Sequence, residues 1–272
     1  MVTLKGSAEV IAWLWTNKKI VGDVTKWIFR RPKRGLLIMG AGGVGKSTVG
    51  KLLKGEFDKA AKIPGVYEES LELETYSLKD DSRVSVIVAP GQDRHRDSTW
   101  QELEAGISSD KYRGLILVNS FGYHSLGEIS YKTLPQYQGN DKQFLADYLE
   151  NRRQEELIVL RRLIPHIAAT RRKFWLFNIV TKADLWWPSH QVVRDHYETG
   201  DFRRIIAEGI TKLGTTHFRQ ENAFGSLVIA NFKTGRNELL AKTAPGYDQQ
   251  LQRDFVERFW KALTALKRWE GK

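Results

Sequence analysis

The sequence predicts an open α/β domain: a mostly parallel sheet of about six strands with one antiparallel hairpin and helices on both faces, preceded by an N-terminal amphipathic helix. Three observations predict it. Short apolar runs alternate with stretches of helical periodicity along most of the 272 residues. The turn after the first such run, Gly40-Ala41-Gly42-Gly43-Val44-Gly45-Lys46-Ser47-Thr48, has the form G-x-x-x-x-G-K-[ST] and opens a helix. Polar tetrapeptides stand at the C-terminal ends of later runs, the edge at which open α/β sheets bind ligands.

The first element spans about residues 7–29, where Val10, Trp13, Leu14, Ile20, Val21, Val24, Trp27 and Ile28 recur at three- and four-residue spacing. Gly22 is expected to bend this helix. Residues 1–34 carry Lys5, Lys18, Lys19, Lys26, Arg30, Arg31, Lys33 and Arg34 against Glu9 and Asp23, a net +6 of the chain's +11. A basic face opposite tryptophans suits an anionic membrane surface or a partner protein. The same stripe equally suits packing on the chain's own core.

Leu36-Leu37-Ile38-Met39 reads as a strand and residues 47–54 as a helix, so Gly40–Thr48 is a P-loop. Its glycines let the backbone curl so that N–H groups converge at a helix N-terminus, where an anion is favoured. Lys46 is placed to reach β- and γ-phosphates and Ser47 to offer its hydroxyl to Mg2+. Residues 55–69 read as a loop. Residues 71–77 and 84–88 alternate apolar and polar side chains, and the joining turn at 79–82 is too short for a helical crossover, so they should pair antiparallel.

The second of these strands ends in Val88-Ala89-Pro90-Gly91-Gln92-Asp93, followed by Arg94-His95-Arg96. A helix near 100–105, a strand at 115–118, a polar stretch at 121–141 and a long helix at 142–170 come next, with Pro165 expected to kink or end that helix. Phe174-Trp175-Leu176-Phe177-Asn178-Ile179-Val180 is a buried strand that delivers Thr181-Lys182-Ala183-Asp184. Helices near 191–197 and 202–213 lead to a last short strand, 227–230, which delivers Asn231-Phe232-Lys233. A helix at 249–269 closes the chain.

Composition bounds the chemistry. The chain has no cysteine, which excludes disulfides, iron–sulfur clusters and cysteine-ligated zinc and fits a cytoplasmic setting. Its six histidines show no metal-ligand spacing. Charges interrupt the N-terminal apolar residues, and no run of 18 apolar residues follows, so a cytoplasmic protein, at most peripheral at a membrane, is expected.

In this order, the P-loop, Pro90-Gly91-Gln92 and Thr181-Lys182-Ala183-Asp184 resemble the motifs of the Ras-like small GTPases. The resemblance covers about residues 35–268 and implies a Ras-like P-loop NTPase fold, GTP and GDP as ligands, Mg2+ as cofactor and GTP hydrolysis. It divides the chain into an N-terminal extension, 1–34, and a GTPase domain, 35–272, with extra material near 122–141 and 186–222. Thr181–Asp184 matches the [NT]-K-x-D guanine motif. Asp184 would accept the guanine N1–H and 2-amino group, and the Lys182 stem would cover the base. Asn231-Phe232-Lys233 takes the place of the family's Ser-Ala-Lys motif, and Gln92 that of the glutamine that orients the attacking water. Arg94 and Arg96 are candidate arginines supplied within the chain.

Two departures stand out. The family's D-x-x-G aspartate, which holds the Mg2+ shell, is replaced by Val88, as in the MglA-like bacterial GTPases, the closer branch by this resemblance. No threonine occupies the switch I position near 63–66. The resemblance therefore implies either a GTPase switch, with effector or regulator surfaces at 57–70 and 90–99, or a nucleotide-gated scaffold that barely hydrolyses GTP and docks through its N-terminal helix. A third reading, a nucleic-acid-binding basic surface, ranks lower because no nucleic-acid motif appears.

Overall fold

The computed structural model describes residues 5–30, 34–60, 73–76, 86–90, 93–127, 130–211 and 217–271, and at 5–8, 30, 58 and 93–98 the backbone alone. Two helices, α1 (Lys5–Thr16) and α2 (Lys18–Arg30), precede β1 (Gly35–Met39). After it come α3 (Lys46–Lys54), α4 (Phe57–Ala60), β2 (Glu74–Tyr76), β3 (Val86–Val88), α5 (Asp93–Ser108) and β4 (Tyr112–Asn119). The second half runs through α6 (Asp141–Ala168), β5 (Phe174–Val180), α7 (Ala183–Trp186), α8 (His190–Glu198), α9 (Asp201–Ile210) and β6 (Phe218–Phe224). A small hairpin, β7 (Phe232–Lys233) and β8 (Leu239–Ala241), and the terminal helix α10 (Gln249–Gly271) complete the described chain.

Six strands form one sheet in the order β2-β3-β1-β4-β5-β6, parallel throughout except for the antiparallel β2–β3 pair, as expected. The two-residue side-chain period divides the core. Leu36, Ile38, Ile116, Val118, Trp175 and Phe177 face one layer, built by α1, α2, α3 and α10. Leu37, Met39, Leu115, Leu117, Phe174 and Leu176 face the other, built by α5, α6, α8 and α9. Strands covered on both faces need continuous apolar runs, which is why β1, β4 and β5 are plain in the sequence. At Gly114 on β4 a Cβ would stand 2.2 Å from the Trp175 indole, so only glycine leaves room for that ring.

Three expectations need correction. The expected single N-terminal helix is two helices that meet at Asn17, where Thr16 Oγ1 and Asn17 Nδ2 each donate to the carbonyl four residues back, Ala12 and Trp13, both at 2.9 Å. Helix α6 does not end at Pro165 but runs on to Ala168, because Leu163, Ile164 and Ile167 are buried and hold its last turn against the layer they cover. The sixth strand is Phe218–Phe224 and not 227–230. It is an edge strand of half-buried polar residues, whereas the apolar 227–230 lies in the loop beyond it.

The apolar stripe of the N-terminal helices faces the chain's own core. Val10, Leu14, Val21, Val24, Trp27 and Ile28 are buried against α3 and α10. Trp15, Lys18, Lys19, Ile20 and Lys26 face outward. Arg113 on β4 ties this layer to the sheet. Its guanidinium stands 4.3 Å from the Trp27 ring centroid and donates to the Trp27 and Ile28 carbonyls, at 2.9 and 3.0 Å, and to Glu270 Oε2 at 3.0 Å. It thereby satisfies carbonyls at the end of α2 that have no intrahelical partner. Trp27 Nε1 donates to the same Glu270 oxygen at 2.9 Å. Among the described residues no helix is long and apolar enough to cross a membrane.

Replacing Arg113 leaves Glu270 and two α2 carbonyls without this buried donor, so Arg113→Met should lower unfolding stability by about 3 kcal/mol in urea titration. A loss below ~1 kcal/mol would show that α2 is held by apolar packing alone.

Candidate functional site

The turn between β1 and α3 is held in a curled shape by its glycines and by three donors from outside its backbone. Gly40, Gly43 and Gly45 have φ values of 146°, 69° and 100°, the left-handed side that side chains with a Cβ avoid. A Cβ on Gly40 would also lie 2.2 Å from the Val118 carbonyl oxygen. Lys46 is 7% exposed and arches back to donate to the Ala41 carbonyl at 2.7 Å. Ser125, beyond β4, donates from its backbone N and its Oγ to the Gly43 carbonyl, each at 3.2 Å. Thr181 Oγ1, at the end of β5, donates to the Val44 carbonyl at 2.7 Å. Gly45, in the left-handed region, opens the first turn of α3, and a helix N-terminus favours an anion.

Thr181 also joins the two halves of the site, since its Oγ1 and N–H both contact the Asn119 carbonyl, at 3.0 and 2.8 Å. Lys182 follows in the left-handed region (φ 59°) and sends its ammonium to the Tyr123 carbonyl and, at 3.0 Å, to Ser125 Oγ. Burial pushes the Lys182 amine down to about 7, with Asp184 and Glu156 pulling the other way. Asp184 is 3% exposed, and its Oδ2 accepts the Ala230 N–H at 2.9 Å. Burial raises this carboxyl above its usual range, opposed by the hydrogen bonds it receives from Ala230 and Ser226. A buried carboxylate at a strand end discriminates by what it is offered, because a base that brings no donors leaves it unsatisfied.

The loop that reaches Asp184 follows β6 and comprises residues 225–230, with the contact made by Ala230, immediately before the expected Asn231-Phe232-Lys233. Asn231 is exposed and takes the Thr243 N–H at 3.0 Å, and Lys233 donates outward to Asn237 at 2.8 Å. Phe232 is buried in a third apolar cluster beside Tyr123 and Tyr148. The cause is the strand assignment, since a last strand at 218–224 places its outgoing loop earlier in the chain.

Ser47 and Thr48 lie in the first turn of α3, half-buried. Ser47 Oγ donates to Glu74 Oε1 at 2.6 Å, and Tyr76 OH donates to Glu74 Oε2 at 2.7 Å. This oxygen-rich corner fits a hard cation that keeps several waters. Among the described residues no group of three or more His, Asp or Glu could hold a metal ion. Val88 is buried and apolar, and Thr75 is exposed on β2. Gly91 and Gln92 lie outside the described residues, as do the Arg94 and Arg96 side chains and most of 57–70.

Sequence reasoning missed Ser125, Glu74 and Glu156. Glu156 is buried on α6, where Oε1 accepts the Ser120 and Gly122 N–H groups at 2.9 and 3.2 Å and contacts His124 Nε2 at 3.0 Å, while Oε2 takes the Tyr197 hydroxyl. Burial alone would raise this carboxyl, but the bonds from His124, Tyr197 and Ser120 outweigh it and hold it below the usual range. It fixes the turn after β4 that presents Ser125. In the sequence Glu156 is one charge among many on a long helix, and only the fold distinguishes it.

No family model matches the chain, and no curated protein does. Among solved structures, Toc33 from Arabidopsis thaliana, in complex with GDP and Mg2+, is 13% identical, with 96% of each chain covered and a TM-score of 0.43. The small COPII coat GTPase SAR1 from Encephalitozoon cuniculi, with GDP, is 10% identical over 93% of this chain and 90% of its own, with a TM-score of 0.38. The signal recognition particle receptor SRb–GDP from Chaetomium thermophilum is 13% identical over 84% and 94%, with a TM-score of 0.35.

Lys182 provides a pH signature. Its folded value near 7 lies below the ordinary 10.5, so between these limits the unfolded chain binds the extra proton and stability rises with pH. The stability of the wild type relative to Lys182→Met should therefore increase from pH 7 toward pH 10, measured by thermal unfolding without nucleotide. A flat difference would contradict the buried placement of this amine.

Proposed function

We propose that the chain is a small GTPase that binds GTP and GDP with Mg2+, hydrolyses GTP to GDP and phosphate, and changes partner with the nucleotide state. The observation that carries this reading is Thr181, whose hydroxyl donates to the Val44 carbonyl and whose N–H donates to the Asn119 carbonyl, which joins the base-selecting tetrapeptide to the P-loop. A glycine-rich turn alone accepts any phosphate. A turn joined to a buried carboxylate two strands away suits a ligand with phosphates at one end and paired donors at the other. Guanine has that donor pair and adenine lacks it.

Each residue then has a task. Lys46 exchanges the Ala41 carbonyl for phosphate oxygens, while the backbone N–H groups of Gly42–Ser47 hold the phosphate chain. Ser47 serves as the protein's Mg2+ ligand, and Mg2+, when bound, neutralises charge on the phosphate oxygens. Gln92 orients the attacking water. Asp184 selects the base, Lys182 lies along it, and Ala230 holds the carboxylate in place. Segments 57–70 and 90–99 meet an effector or regulator. A docking role for residues 1–34, at an anionic membrane surface or a partner protein, falls to the outward face with Trp15, Lys18, Lys19 and Ile20, since the inward face is spent on the core. This reading keeps the division at residue 34, a cytoplasmic setting and kinship with the MglA-like bacterial branch.

Val88 favours a second reading, a nucleotide-gated scaffold with little hydrolysis, because its buried valyl group cannot hold a cation's water shell. Single-turnover phosphate release with Mg2+ and GTP separates the two: release is expected from GTP and not ATP, and slower in Gln92→Leu at unchanged affinity. Retained, unhydrolysed GTP would favour the scaffold. Titration with fluorescent GTP should show no binding to Lys46→Ala and weakened guanine binding to Asp184→Asn. Wild-type affinity in Lys46→Ala, or unaltered discrimination against ATP in Asp184→Asn, would overturn the assignment.

A further inference from the structure

We infer that Glu74 is the acidic group of the Mg2+ site, supplied from β2 in place of the aspartate whose position on β3 is occupied by Val88. The inference rests on the guanine-nucleotide reading above and adds a residue to it. Glu74 and Val88 are direct partners across the antiparallel β2–β3 ladder. Side chains of directly opposed residues share one face of the sheet, with Cβ atoms about 5 Å apart. An acid lost from one strand can therefore be replaced from its neighbour, and glutamate's extra methylene supplies the added reach.

Hydrogen bonding agrees with this placement. The Ser47 hydroxyl gives its proton to Glu74 Oε1 at 2.6 Å, which leaves the lone pairs of Oγ free to face a cation. Tyr76, two residues along the same strand face, donates to Glu74 Oε2 at 2.7 Å and sets the plane of the carboxylate. Tyr76 in turn lies on α3 over Gly50, where a Cβ would stand 2.7 Å from the phenol ring, one helical turn from Ser47. Ligand, acid and orienting hydroxyl thus sit on one face of α3, the arrangement by which outer groups orient a metal shell.

Charge adds a separate constraint. A carboxylate beside a phosphate-binding turn repels the nucleotide unless a cation lies between them. Glu74 should therefore tighten binding when Mg2+ is present and weaken it when Mg2+ is removed. A glutamate that merely caps Ser47 would do neither, since a glutamine carbonyl accepts that hydroxyl equally well.

The test is release of mant-GDP from the full chain in Mg2+ and in EDTA. Wild type should release slowly in Mg2+ and faster in EDTA. Glu74→Gln should release about ten- to a hundredfold faster than wild type in Mg2+ and no faster than wild type in EDTA, so that the effect of chelation shrinks. Adding Val88→Asp to Glu74→Gln should restore the effect. A folded Glu74→Gln with wild-type rates in both buffers, or a wild type insensitive to EDTA, overturns the inference. If Glu74→Gln does not fold, Tyr76→Phe should show a smaller shift in the same direction, and an unchanged chelation ratio in it overturns the inference. A wild type that holds no mant-GDP in either buffer instead overturns the GTPase reading.

Discussion

Two carbonyls of one turn, those of Gly43 and Val44, are held by donors from other strand ends, Ser125 beyond β4 and Thr181 beyond β5, while the Ala41 carbonyl takes the Lys46 ammonium until a ligand competes for it. That constraint governs the site. Each bond contributes only about 1 kcal/mol on its own. Together they fix the curl that left-handed glycines permit but do not impose, and they bring the ends of β1, β4 and β5 to one place. The donors are themselves held. Glu156 secures the backbone that carries Ser125, and Thr181 is fixed by its N–H bond to the Asn119 carbonyl. Preorganisation of this kind places donors before the ligand arrives, which is how a small set of polar contacts acquires selectivity.

The sheet serves this arrangement by rigidity. Its central strands are buried on both faces, so a shift of one strand end by a residue would reverse the facing of its side chains and is strongly opposed. The N-terminal helices contribute to the same rigidity, because their apolar face closes one layer and Arg113 locks the end of α2 to β4. A segment whose composition suits a surface is largely a wall of the core. What remains outward is a narrow amphiphilic face with Trp15 and Ile20 among lysines.

Legibility in the sequence follows burial. Strands β1, β4 and β5, apolar on both sides, stand out, as do α6 and α10, whose periodic stripes are long. The P-loop and Thr181–Asp184 are legible because their chemistry requires particular residues at particular spacing, and the structure brings them together at the sheet's carboxyl edge. The edge strand β6 is not legible. Its Arg219, Gln220, Glu221 and Asn222 bond among themselves and to Arg203 at the rim, and the apolar 227–230 that follows has the stronger strand pattern without the strand. The residue that reaches Asp184 from the loop after β6 is Ala230, next to the expected Asn231-Phe232-Lys233. Glu74 and Ser125 are illegible for another reason: a cross-strand register and a loop crossing place them beside the turn, and local sequence carries neither.

The central claim is that the P-loop and the Asp184 corner form one guanine-nucleotide site. Calorimetric titration of GDP and ADP into the purified chain in Mg2+ tests it most directly. The account predicts that GDP binds and that ADP binds at least about a hundredfold more weakly, since adenine leaves the Asp184 carboxylate without its donors. Equal affinity for the two nucleotides, or binding of neither, would contradict it.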